Sequence, residues 1–158
     1  MHSCVFCITE QFNTVKMSNC IHQLFYRRIS KNQKNASDRI LWQAFKPRNG
    51  EDGIENGPSV YLSSLRCPLA ALDGHCELFG MHLVAFRECS TDLHLTIEQR
   101  DPDDDSHYYI LNFPHDEHER SIWAKNLCNV AHLKVRCVNK KIDEILDDPE
   151  VNCQKLLL

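Results

Sequence analysis

Positive charge and hydroxyl groups stand close together in the first half of this chain. Arg27 and Arg28 lie in the aromatic, apolar run Leu24-Phe25-Tyr26-Arg27-Arg28-Ile29. Lys46 and Arg48 lie in the loop Lys46-Pro47-Arg48-Asn49-Gly50, shortly before Gly57-Pro58-Ser59-Val60-Tyr61-Leu62-Ser63. In a chain of net charge −4 these cations form a local excess. Guanidinium forks match the oxygens of phosphates and carboxylates, so the chemistry on offer is anion binding. Alternation with a period of two puts Ser59, Tyr61 and Ser63 on one side of a strand and Val60, Leu62 and Ser64 on the other. With the second set on a core, the hydroxyl side either lines a ligand site or faces water.

The same alternation separates the two arginines. Arg27 shares a face with Phe25 and Ile29, and Arg28 shares the other with Leu24 and Tyr26. Neither face is cleanly polar, so one guanidinium must be half-buried, where it requires an anionic partner. That partner is either a carboxylate of the protein or a phosphate of a ligand. The two arginines cannot serve one pocket in the same way.

Elements that position these groups follow from pattern. A strand is expected over 21–29, a polar connection over 30–38, and a short strand or helical turn over 39–45. After the 59–63 strand, Pro68 suits the first turn of a helix over 68–76 that carries Leu69 and Leu72. Strands at 81–86, 93–99 and 107–113 read as an antiparallel meander, with Leu93, Leu95 and Ile97 inward. Asp101-Pro102-Asp103-Asp104-Asp105 reads as a solvated turn, without the glycine and distal glutamate of a calcium loop. A helix over 116–132 has acids in its first turns and a stripe of Ile122, Trp123, Leu127, Val130 and Ala131. A short strand over 134–138 and a helix over 141–157, ending Leu156-Leu157-Leu158, close the chain. The fold class is α+β: one domain over 20–158, a mostly antiparallel mixed sheet with flanking helices, preceded by a poorly patterned arm over 1–19 with a second methionine, Met17.

At 158 residues one domain can bury a full core. Hydrophobic residues make up 42% of it and charged ones 25%, which is globular composition. There is no basic field for nucleic acid and no apolar run near the ~20 residues of a membrane span. Met1 to Lys16 lacks the plan of a secretion signal, so the expectation is a cytoplasmic protein whose nine cysteines are mostly reduced and packed as small hydrophobes. Cys4-x2-Cys7 followed by Cys20-x-His22 falls short of zinc spacing, because one residue separates the second pair. His115-x2-His118 lacks a third ligand. No metal is expected. Walker, Rossmann, HExxH and GxSxG patterns are absent.

The run from Tyr26-Arg27-Arg28-Ile29 through Ser59-Val60-Tyr61-Leu62-Ser63 to the Pro68–Leu72 helix start resembles the first half of ADP-ribosyltransferase-like domains, in particular the RES-type proteins that consume NAD. The resemblance covers about residues 24–75. It implies that Arg27 or Arg28 holds the NAD phosphates and that Tyr61 lies against the nicotinamide. Asp73 would stand where the family has a glutamate, and Asn112 is a counterpart for its late asparagine or serine. With Arg48, Ser59 and Ser63 added from the residue pattern, the expected site binds a nucleotide, NAD being the implied cofactor, with Tyr61 and Asp73 in catalytic positions. The alternative is a non-catalytic domain that docks on a protein partner, or on a second copy, through its terminal helix.

Overall fold

The computed structural model describes residues 23–47 and 57–149. The arm over 1–19, the Cys4/Cys7/Cys20/His22 set, Arg48 and residues 150–158 lie outside the described residues. Among the described residues seven strands form one sheet: β1 (Leu24–Ile29), β2 (Ser59–Leu62), β3 (His82–Arg87), β4 (Ile97–Gln99), β5 (His107–Ile110), β6 (His132–Val138) and β7 (Lys141–Ile145). Their spatial order is β4-β5-β2-β1-β3-β6-β7, and every neighbouring pair is antiparallel. Among the described residues three helices accompany them, α1 (Pro68–Leu72), α2 (His75–Phe79) and α3 (Glu117–Val130). This is an α+β domain. No helix among the described residues is long and apolar enough to cross a membrane.

Both faces of the sheet are buried. On one, Phe25, Ile29, Val60, Val84, Phe86 and Ile110 pack against Ala124 and Leu127 of α3 and against the 3-10 turn Trp42–Phe45. Phe86 lies at the centre, stacked on Phe25 at 5.8 Å and met edge-on by Phe45 at 5.5 Å. On the other face Leu24, Tyr26, Tyr61, Leu83, Ala85 and Val135 lie under α1 and α2. Each fully buried Phe or Leu contributes about 1.5–3 kcal/mol. The Tyr61 side of β2 therefore does not face water: β2 is an interior strand with a helical layer over each face.

Several elements differ from their sequence expectations, for local reasons. The 68–76 helix breaks in two because Asp73 and Gly74 both take left-handed backbone, φ 49° and 72°. The strand expected over 93–99 shrinks to 97–99, although Leu93, Leu95 and Ile97 do pack against the α3-side core. The meander does not form: β3 pairs with β1 and β6, while the β4–β5 hairpin attaches through β5 to β2. On α3 the buried residues are Ala124 and Leu127, Ile122 is exposed, and Trp123 is half-buried, edge-on to Phe113 at 5.6 Å. Residues 141–145 are strand, not helix. Asn139 and Lys140 both have positive φ, the geometry of a two-residue hairpin turn, and they fold β7 back on β6 with Val138 opposite Lys141. A docking helix over 141–157 is thereby lost in its first turns. Asp148 accepts from His132 at 2.8 Å and pairs with Lys134 at 3.2 Å.

Cysteine chemistry also differs. Cys76 of α2 and Cys137 of β6 form a disulfide across 61 residues, while Cys67 and Cys128 are free thiols. The pairing was not legible from spacing, because only the fold brings α2 over β6.

Candidate functional site

The strands place a row of rings on the α1/α2 side of the sheet. Tyr61 stands opposite Tyr26 on β1 and opposite His107 on β5, and Ser59 stands opposite Tyr109. Alternation keeps all of these on one face. The His107 ring stacks on Tyr61 at 5.0 Å and 17°, and meets Tyr109 at 4.7 Å. Tyr26, at the closed end of the row, has its hydroxyl pushed up to about 12 by burial, so it stays protonated.

Two guanidinium groups lie over the Tyr61 ring, Arg28 and Arg66, each with its central carbon 5.0 Å from the centroid. The ring's negative face makes both contacts attractive. Their other partners differ. Arg66 pairs with Asp104 at 2.5 Å and donates through Nε to the Ala70 carbonyl at 3.0 Å. Arg28 is half-buried and makes no ion pair among the described residues. It donates through Nη2 to the Tyr61 hydroxyl, and its Nη1 lies 2.8 Å from the His75 imidazole nitrogens. The Nδ1 of His75 also lies 3.0 Å from the Leu72 carbonyl and 3.1 Å from that of Asp73. Assigning the proton to Nδ1 satisfies these carbonyls and leaves the Nε2 lone pair to accept from Arg28. Among the described residues Arg28 thus has no anionic partner.

The acidic turn over 101–105 is not simply solvated; it closes the other side of the row. Asp101 accepts from Nδ1 of His107 at 2.9 Å, which holds its carboxyl below the usual carboxylate range. The hydroxyl and amide of Ser106, then the charge of Arg66, do the same for Asp104. With Nδ1 of His107 donating to Asp101, Nε2 is the acceptor nitrogen. It is buried without a hydrogen-bond partner among the described residues.

The expected site residues are only partly assembled. Arg28 and Tyr61 come together. Arg27 does not join them: it lies on the opposite face, 7% exposed, donating through Nε to the Ala44 carbonyl at 2.6 Å and through Nη1 to the Ser59 carbonyl at 2.8 Å. Ser59 is half-buried, and the contact that holds it to an arginine is its carbonyl, facing Arg27. Ser63 falls just past the strand end, its amide bonded to the Leu24 carbonyl at 2.9 Å. Asp73 is exposed at the C-cap of α1, and it reaches the group through its backbone carbonyl. Asn112 clamps the β4 approach instead, accepting from the Thr96 amide at 2.8 Å. Lys46 pairs with Glu117 at 2.5 Å, away from this face.

Arg66, His75 and His107 are members of the group that sequence reasoning missed. His107 carried a signal, since it alternates in phase with Tyr109. Arg66 and His75 carried none, because loop and short-helix residues have no periodicity to read. A separate open cleft of about 580 Å3, lined by Ile40, Cys128, His132, Leu133 and Leu146, lies near the end of α3. Beside it His132 and Lys134 already share Asp148.

No family model, curated protein or solved structure matches this chain. Its function must therefore be argued from the site.

Proposed function

We propose that the protein binds a phosphate-bearing small molecule of the nucleotide class on the Tyr61 face, with Arg28 receiving the anion. The observation that carries this reading is the state of Arg28. A half-buried guanidinium is ordinarily neutralised, and this one has only a phenol and an imidazole beside it among the described residues. Tyr61 and His75 fix the fork in place, so little side-chain entropy remains to be lost on binding. Arg66 adds positive potential that Asp104 reduces. NAD is the ligand implied by the resemblance to ADP-ribosyltransferase-like domains. In that reading Arg28, rather than Arg27, takes the phosphates, and Asp73 stands at the rim.

Calorimetric titration with NAD and with ADP-ribose tests the proposal. Saturable binding that falls at least tenfold in Arg28→Gln is the expected result. Release of nicotinamide from NAD, lost in Asp73→Asn, adds the transferase or glycohydrolase activity. Absence of heat with both ligands removes the nucleotide reading altogether.

A further inference from the structure

We propose that Phe79 is a stacking platform for the aromatic ring of the ligand whose phosphate rests on Arg28. This inference builds on the nucleotide-site reading and names the part of the ligand that the site selects. Phe79 is 62% exposed, while Phe25, Phe45, Phe86 and Phe113 are each 5% exposed or less. Leu78 beside it is 63% exposed and Leu69 on α1 is 48% exposed. Large apolar side chains left open side by side mark a surface that something covers.

The position of that surface identifies its occupant. His75 and Phe79 are four residues apart on α2, which puts them on one side of the helix, and their rings meet at 5.3 Å. The same imidazole takes the Arg28 hydrogen bond at 2.8 Å. One side chain therefore joins the Arg28 guanidinium to an exposed ring. An inorganic anion would use only the first of these, whereas a nucleotide uses both. Base–aromatic stacking contributes ~1–3 kcal/mol, roughly five- to 150-fold in affinity.

The platform is also held rigid. Helix α2 runs between Gly74 and Gly80, both at positive φ (72° and 68°), and Cys76 in its first turn is bonded to Cys137 of β6. A five-residue helix with exposed Leu78 and Phe79 would fray without that tie. Fixed in place, the ring is preorganised for a ligand.

The test compares ADP with ribose 5-phosphate, which carries the phosphate without a base, on the full oxidised chain and on Phe79→Ala and Phe79→Trp. Phe79→Ala should weaken ADP five- to 150-fold and leave ribose 5-phosphate within about twofold. Phe79→Trp should hold or tighten ADP. Melting temperature should not move, because the side chain is largely exposed. Equal weakening of both ligands would make Phe79 a mere support for His75 and overturn the proposal. Unchanged ADP affinity would also overturn it, and a monomer–dimer shift on sizing in the same variant would reassign the patch to self-association. If the parent protein binds neither compound, the nucleotide-site reading itself has failed; if it binds both equally, only the platform has.

Discussion

Arg27 and Arg28 are consecutive in the chain and sit in opposite layers of the protein. Arg27 reaches into the α3 side and donates to two main-chain carbonyls; Arg28 lies over Tyr61 on the α1/α2 side. Their substitutions should therefore separate cleanly. Arg27→Gln strands buried acceptors at Ala44 and Ser59 and should cost about 3 kcal/mol of stability. Arg28→Gln should change stability by less than ~1 kcal/mol and lower nucleotide affinity at least tenfold. Urea unfolding and calorimetry on both variants read the two quantities independently. Equal stability losses would place Arg28 in the structural frame.

Gly57 should tolerate no side chain. A Cβ there would meet the Ile110 carbonyl and lie 2.7 Å from Cβ of Phe113, and neither the β5 backbone nor Phe113 has room to retreat. The amide of Gly57 donates to that same Ile110 carbonyl at 3.0 Å, which opens the β2–β5 pairing. Gly57→Ala should lose more than ~2 kcal/mol. A variant that melts with the parent would show that the β2 entry can shift without penalty.

The Cys76–Cys137 bond closes a separation of 61 residues, and chain-entropy reasoning assigns such a loop about 4 kcal/mol. Reduced protein, or Cys76→Ser/Cys137→Ser, should melt well below the oxidised form. Peptide mapping without reductant should recover the two cysteines joined. Free thiols at both positions in freshly purified protein, with no change in melting on oxidation, would contradict the pairing.

His82 should make stability depend on pH near neutrality. Its Nδ1 accepts the Cys137 amide at 2.9 Å, and burial, aided by Lys34 and Arg136 and opposed by Asp38, holds its pKa below the ordinary 6.5. The unfolded chain therefore takes up this proton first as pH falls. The contribution is complete above 6.5 and shrinks as pH drops from there through the folded value. Asp38 and Asp104, lowered by Arg136 and Ser106 respectively, lose theirs only in more acid solution. Urea unfolding from about pH 8 down to about pH 5 should show a decline that flattens in His82→Gln, whose side-chain carbonyl can still accept the amide. Stability that rises on acidification through this window would put His82 in its charged form in the fold.

Period-two alternation in the sequence determined most of the sheet. It placed β1, β2, β3 and β5 within a few residues, and it put Arg27 and Arg28 on opposite faces, because side-chain direction in a strand is a local property of the backbone. The α+β class was equally legible, from strand runs followed by an acid-started helix. What alternation cannot say is which strand lies beside which, or whether a face is covered. The β3 partners, the burial of Tyr61 under α1 and α2, and the disulfide each depend on residues far apart in the chain meeting through packing. The same holds for the site. Tyr61 and Arg28 were visible as strand residues, but Arg66, His75 and His107 become their neighbours only when a loop, a five-residue helix and a hairpin close over one sheet face. The refolding of 141–145 from expected helix to β7 makes the same point at a smaller scale. Its Ile142, Ile145 and Leu146 fit a helical stripe, and the positive φ of Asn139 and Lys140, stabilised by pairing with β6, made the strand win.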